Sequence, residues 1–215
     1  MSHRVCTFLL AAAFSTGWTL ALAAEEKEKK PAQPVNCPVS GKPANLHISA
    51  ATDDGPVFFC SDACIDAYKK DPAKYAAKVA EQRKALADRP KVQVTCPVLG
   101  NPVDKKVFIE QDGQKVYFCC KDCIDKFKAD PGKYKARLAN SYSYQLKCPV
   151  MGGDIDPAVF MDLTNGRRVF FCCPACAEPL TKEPDKYLPK LAEQGIVVDA
   201  KTLPKPTKDK EAKKE

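Results

Sequence analysis

Histidine is nearly absent from this chain of 215 residues, which contains only two. His3 belongs to an apolar N-terminal segment, and we interpret His47 as an ordinary strand residue because the repeats described below have no histidine in its place. The chain therefore lacks the usual general base for a nucleophilic thiol. A glycine-rich phosphate loop, a serine triad and paired carboxylates are missing as well. We expect a protein without enzymatic activity.

Apolar runs long enough to cross a bilayer are missing after residue 23. The first 23 residues combine a basic start, MSHR, with an apolar run and the small-x-small sequence Ala21-Leu22-Ala23. This order is typical of a secretory signal peptide, although an apolar run of about 18 residues can also persist as a membrane anchor. We predict a signal peptide at residues 1–23, a periplasmic or secreted location, and no stable membrane insertion after cleavage.

Clustered basic charge is lacking too, in spite of a net charge of +7. Lysines and acidic residues are interspersed in the segment EEKEKKPAQPVN and in the C-terminal KTLPKPTKDKEAKKE, and neither has enough apolar residues to form a core. We expect a disordered leader at residues 24–36 and a mostly disordered basic tail at residues 191–215. A nucleic-acid partner is not expected, because such partners require basic residues gathered on one face.

Cysteine is abundant, and it occurs in a unit that is repeated three times. Each unit opens with Cys-Pro-Val, continues to VFFCSDAC, VYFCCKDC or VFFCCPAC, and closes with DPAKY, DPGKY or EPDKY. Three cysteines are common to all units: Cys37, Cys60 and Cys64; Cys96, Cys119 and Cys123; Cys148, Cys172 and Cys176. The repeat predicts modules at residues 37–78, 96–137 and 148–190, with linkers at residues 79–95 and 138–147.

Each unit has the pattern of a β-hairpin followed by a short helix. Two β-prone runs flank an Asp-Gly or Asn-Gly pair, which supplies the positive φ of a tight turn. After the last strand, apolar residues recur at a spacing of three until a proline, Pro72, Pro131 or Pro184, ends or kinks the helix. The alanine-rich segment 76–90 predicts a helix in the first linker. The predicted fold class is small α+β, with three tandem modules joined by partly helical linkers.

Modules of about 40 residues bury too little surface to fold without a metal or disulfides. Export favours disulfides. Of the twelve cysteines, however, Cys6 leaves with the predicted signal peptide, so eleven remain, and three per unit cannot all pair within it. Gathered thiolates favour soft ions such as Zn(II) and Cu(I). We therefore predict one metal site per module, formed by the three constant cysteines.

Three further residues are candidates for an auxiliary role. Cys120 and Cys173 adjoin constant cysteines and are matched by Ser61 in the first unit, so each is an additional ligand or a spare thiol for transfer or oxidation. Met151 follows the opening cysteine of the third unit and offers a thioether that suits Cu(I). The C-x-x-C spacing created by Cys120 and Cys173 also leaves open an alternative function, that of a thiol redox protein.

The combination of Cys-Pro-Val-x-Gly, the aromatic-Phe-Cys-x-x-x-Cys string and Asp/Glu-Pro-x-Lys-Tyr resembles the YHS domain and the related TRASH domain. These are small, treble-clef-like metal-binding modules, and the resemblance covers residues 37–75, 96–134 and 148–187. It implies metal binding by the constant cysteines, without identifying the metal, and a role in heavy-metal trafficking or resistance. A metal transporter or another envelope protein is the partner it implies. An interaction scaffold with purely structural metal is a further alternative.

Overall fold

The structure is a computed structural model that describes residues 34–111 and 113–204. The predicted signal peptide, nearly all of the predicted leader and residues 205–215 of the predicted tail lie outside the described residues. The strands are β1 (Asn45–Ala50), β2 (Val57–Phe59), β3 (Val92–Gln93), β4 (Asp104–Gln111), β5 (Gln114–Phe118), β6 (Tyr142–Ser143), β7 (Asp156–Asp162) and β8 (Arg168–Phe171). The α-helices are α1 (Asp62–Lys70), α2 (Ala76–Ala87), α3 (Lys121–Ala129), α4 (Pro131–Ala139), α5 (Ala177–Lys182) and α6 (Pro184–Ala192).

The predicted hairpin is present in every unit. Strands β1 and β2, β4 and β5, and β7 and β8 form three antiparallel pairs. Each first strand carries a register shift near its start, where the side chain of Asn45, Asp104 or Asp156 accepts the backbone N–H two residues later. Such a short carboxylate or amide turn lets the chain kink without leaving that N–H unpaired. A small α+β fold with three cysteine-bearing units is therefore confirmed.

The helix after each hairpin is also present, and a second helix follows it. Helices α1 and α3 end shortly before Pro72 and Pro131, as predicted, and α5 ends before Pro184. Pro131 and Pro184 then begin α4 and α6, because proline is well tolerated in a first helical turn. The sequence reading missed these two helices, although it predicted α2. Their effect is to bury Tyr134 and Tyr187 against the preceding helix.

In every hairpin, the side-chain amide of a buried glutamine bonds to the backbone of the second strand. Gln93 donates from its amide nitrogen to the carbonyl of Tyr117 at 2.8 Å, and its amide oxygen accepts the N–H of Tyr117 at 2.9 Å. Gln145 makes the same pair of bonds with Phe170, at 2.6 and 2.9 Å. The side chain thus replaces a neighbouring strand and satisfies backbone groups that a short edge strand would leave unpaired.

In the first unit, the corresponding glutamine follows the hairpin in the sequence instead of preceding it. Gln93 and Gln145 lie three residues before the opening cysteine, where the first unit has Pro34. Gln82 of α2 takes over, accepting the N–H of Phe58 at 2.9 Å and donating to its carbonyl at 2.8 Å. The three modules therefore satisfy the same backbone groups with glutamines from different parts of the chain.

The modules pack against one another. The described residues belong to one compact unit. Module 2 has a core of its own, whereas Leu46 and Phe58 of module 1 share a core with Leu180 and Tyr187 of module 3. Phe58 meets Tyr144 edge to face, with ring centroids 5.4 Å apart. Strands β3 and β6, on either side of module 2, pair with each other. The linkers therefore take part in the tertiary structure as well as connecting the modules.

The prediction of disorder from residue 191 onward is wrong for residues 191–204. Ile196, Val198 and Leu203 are buried in the core shared by modules 1 and 3. Asn45 donates to the carbonyl of Val197 at 2.6 Å and accepts its N–H at 3.0 Å. Apolar residues continue as far as Leu203, so the predicted tail began too early in the sequence. Val35, in the predicted leader, is likewise buried.

Among the described residues, the helices are too short and too polar to cross a bilayer.

Candidate metal centre

The first cysteine of each triad lies in a tight turn that is repeated three times. In module 2, the N–H of Gly100 donates to the carbonyl of Cys96 at 2.8 Å, and the N–H of Cys96 donates to the carbonyl of Asn101 at 2.7 Å. Gly100 has a φ of +77°, a region that residues with a Cβ rarely adopt. Modules 1 and 3 show the same bonds and the same positive-φ glycine. The Cys-Pro-Val-x-Gly string therefore encodes one local structure.

This turn directs amide N–H groups at the first sulfur. Burial raises the pKa of the Cys37 thiol, but the hydroxyl of Ser40 and the N–H groups of Ser40, Cys60 and Val39 outweigh it and lower the pKa to about 7. For Cys96 and Cys148, burial likewise raises the pKa, and backbone N–H groups from the same positions bring it below the ordinary value. Donors around a thiolate favour its ionised form, which is the form that binds metal.

The second and third cysteines come from the end of a strand and the start of a helix. Cys119 follows β5, and Cys123 lies in the first turn of α3. In module 3, Cys172 follows β8, and Cys176 ends the short 3₁₀ turn Pro174–Cys176. The four-residue spacing therefore brings both sulfurs to one side of the helix start, as the sequence predicts.

Each triad has the dimensions of a tetrahedral thiolate site. The sulfurs of Cys37, Cys60 and Cys64 all lie within 4.8 Å of one another, as do those of the two equivalent triads. The second and third sulfurs are 3.6, 3.7 and 3.8 Å apart in modules 1, 2 and 3. Two sulfurs bound to one tetrahedral ion at about 2.3 Å lie about 3.8 Å apart. The donor set and its spacing therefore fit a soft metal ion.

The third cysteine of the triads in modules 2 and 3 has a raised pKa. Burial raises the pKa of Cys123 and of Cys176, and the sulfurs of the neighbouring cysteines raise it further. Without metal, these triads combine one acidic thiol with others that keep their protons. A bound metal cation would offset the negative charge of three thiolates gathered this closely, and binding it would release those protons.

The doublet cysteines lie beside the triads and outside them. Cys120 Sγ is 3.3 Å from Cys123 Sγ, and Cys173 Sγ is 3.3 Å from Cys176 Sγ. Among the described residues, the groups that could hold a metal are the three triads, without the doublet cysteines. Ser61 occupies the equivalent place in module 1, with its Oγ 3.5 Å from Cys64 Sγ.

The residues that end the first turn differ among the modules. Ser40 in module 1 places its Oγ 3.2 Å from Cys60 Sγ. Leu99 and Met151 have the same position in modules 2 and 3, and they are 53% and 71% exposed. Met151 is therefore largely exposed to solvent, unlike the buried cysteines Cys148 and Cys176.

His47 lies between modules 1 and 3 and takes no part in a triad. Its Nε2 donates to the carbonyl of Arg168 at 2.8 Å. Burial lowers the pKa of His47 to about 4, the Arg168 carbonyl opposes this, and the charge of Arg167 adds to it. The structure thus agrees with a structural histidine and assigns it a specific contact.

Comparison of the chain with protein-family models, with curated proteins and with solved structures gives no match.

Proposed function

We propose that this protein is an exported, non-enzymatic binder of soft metal ions, with one Zn(II) or Cu(I) held by each cysteine triad. The observation that carries the proposal is the threefold occurrence of three sulfurs within 4.8 Å of one another. In each of three similar sites, the opening cysteine meets a pair of cysteines that lies more than twenty residues later in the sequence. A chain that used cysteine only for packing would have no reason to repeat this geometry.

The order of turn, hairpin and helix in each module supports assignment to the YHS and TRASH type of treble-clef module. Heavy-metal trafficking or resistance is the role that this assignment favours. A metal transporter or another envelope protein is then the partner to which the metal passes. The apolar run that precedes residue 24 supports export to the periplasm or secretion.

A carrier is favoured over a scaffold with purely structural metal because each triad supplies three ligands. Structural zinc sites are closed by four protein ligands, whereas a site that exchanges its ligand or cargo keeps one position open. Module 1 has Ser61 beside its triad where modules 2 and 3 have the additional thiols of Cys120 and Cys173. Module 1 is therefore expected to release metal first.

Elemental analysis of the reduced, metal-loaded and desalted protein tests the proposal. Three ions per chain are expected, and Cys123→Ser should lower this to two, because metal-binding energy is also folding energy in such a module. Cys120→Ser is the matched control and should still bind three. Less than one ion per chain, or equal loss in the two variants, would contradict the proposed ligands.

Competition with a chromophoric chelator distinguishes the carrier from the scaffold. The carrier predicts stepwise release that begins at module 1, and Cys64→Ser should remove the fastest phase. Simultaneous release from all modules, or slowest release from module 1, would leave the scaffold as the better description.

A further inference from the structure

Modules 2 and 3 each contain a second pair of sulfurs that the metal sites do not explain. Cys120 Sγ and Cys123 Sγ are 3.3 Å apart, closer than the 3.7 Å between Cys119 Sγ and Cys123 Sγ. In module 3, the corresponding distances are 3.3 and 3.8 Å. The sulfur of the doublet cysteine is thus closer to the buried third cysteine than the sulfur of the triad's second cysteine is.

Exposure divides the two members of each pair. Cys120 and Cys173 are partly exposed, whereas Cys123 and Cys176 are buried. A disulfide requires the sulfurs to approach to about 2.05 Å. Side-chain rotations that bring them about 1.3 Å closer would allow the bond to form. An exposed sulfur that meets an oxidant first, with a buried sulfur in contact behind it, is the arrangement that thiol–disulfide exchange requires.

We infer that Cys120 with Cys123, and Cys173 with Cys176, are dithiol sites that low-molecular-mass disulfides oxidise, and that this oxidation releases the metal of modules 2 and 3. The inference about release rests on the proposed function. The inference about disulfide formation does not, because it concerns the metal-free protein as well.

The reaction is a two-step exchange. The thiolate of Cys120 attacks one sulfur of the oxidant RSSR, forms a mixed disulfide and expels one RS⁻. Cys123 then gives up its proton, attacks the sulfur of Cys120 as a thiolate and expels the second RS⁻. Two protein thiols are oxidised to one disulfide, the oxidant is reduced to two thiols, and the two protons lost by the protein go to those leaving groups.

Oxidation and metal binding compete for the same sulfur. Once Cys123 is joined to Cys120, the triad keeps only Cys96 and Cys119, which are too few to hold the ion against competing ligands. Bound metal in turn occupies Cys123 Sγ and blocks the second step. Metal loading should therefore slow the oxidation of both modules without preventing it.

Module 1 is a built-in control for this chemistry. Ser61 stands where the exposed thiol would be, with its Oγ 3.5 Å from Cys64 Sγ. The serine hydroxyl cannot form a disulfide. Module 1 should therefore hold its metal under the oxidising conditions that empty modules 2 and 3.

Peptide mass mapping of the full chain tests the disulfides. The reduced, metal-free protein is treated with oxidised glutathione, and free thiols are then alkylated before digestion. Two disulfides per chain are expected, Cys120–Cys123 and Cys173–Cys176, while Cys60 and Cys64 are alkylated. Cys120→Ser should remove the first disulfide alone, and Ser61→Cys should create a third in module 1. A Cys119–Cys123 disulfide in the oxidised protein without substitutions, or equally fast oxidation of module 1, would overturn the inference.

Zinc release tests the consequence. The zinc-loaded protein is oxidised with glutathione disulfide in the presence of a chromophoric zinc indicator. Loss of two of three ions is expected, falling to one of three in the Cys120→Ser variant. Formation of both disulfides without zinc loss would overturn the inferred release. A protein that binds neither zinc nor copper(I) but forms the two disulfides would contradict the proposed function and leave the dithiol sites established.

Discussion

Acidification should weaken the contact between modules 1 and 3 through His47. Because its partner, the carbonyl oxygen of Arg168, can only accept, Nε2 carries a proton. Burial of the ring lowers the pKa of His47 from its ordinary 6.5 to about 4, with the Arg168 carbonyl acting in the opposite direction. A charged imidazolium would lose its hydration in this buried position, and its hydrogen bond to the Arg168 carbonyl only partly compensates for that loss.

The sign and size of the effect follow from these values. The unfolded chain takes up a proton near pH 6.5, and the folded protein does so only near pH 4. Stability is therefore unaffected above pH 6.5, falls as the pH drops from 6.5 to 4, and levels off below. Linkage assigns about 1.4 kcal/mol to each pH unit between the two pKa values, so the whole window corresponds to about 3 kcal/mol.

Urea denaturation of the reduced, metal-free protein at pH 7.5, 6.5, 5.5 and 4.5 measures this effect. Carboxylates titrate in the same window, so the informative quantity is the difference between the protein and the His47→Gln variant. The glutamine amide can donate to the same carbonyl and does not titrate. The free energy of unfolding should fall by about 2 to 3 kcal/mol more in the protein than in the variant between pH 6.5 and 4.5. Parallel pH profiles would refute the argument.

Two further substitutions test the repeated turn and the glutamine that completes each hairpin. Gly100→Ala should lower the free energy of unfolding by about 1 to 2 kcal/mol. A Cβ there meets no atom within 4 Å, so the cost is that of the positive φ alone. Gly132→Ala, in helix α4 without a positive φ, is the matched control and should not lower the free energy of unfolding. Gln145→Leu should cost about 2 to 4 kcal/mol in urea denaturation, because it leaves the buried N–H and carbonyl of Phe170 unpaired. A stability unchanged from that of the parent protein would show that water satisfies those groups.

Local patterns allowed the units to be predicted correctly. The hairpins, the helix after each hairpin and helix α2 depend on turn residues, periodicity and proline within a few residues of one another. The same holds for the triads, because the four-residue spacing between Cys119 and Cys123 acts across one helix start. The opening turn repeats with the string that encodes it. Helices α4 and α6 were missed because proline was read as a stop, whereas here it also begins the next helix.

The sequence by itself determined the three modules, the cysteines that form each triad and the soft-metal character of the donors, because repetition and spacing carry that information locally. Only the tertiary structure decided how the modules meet. Three contacts join residues that are far apart in the chain: Asn45 with Val197, His47 with Arg168, and Gln82 with Phe58. No periodicity records such pairs, since they follow from the shapes that the modules present to one another after each has folded.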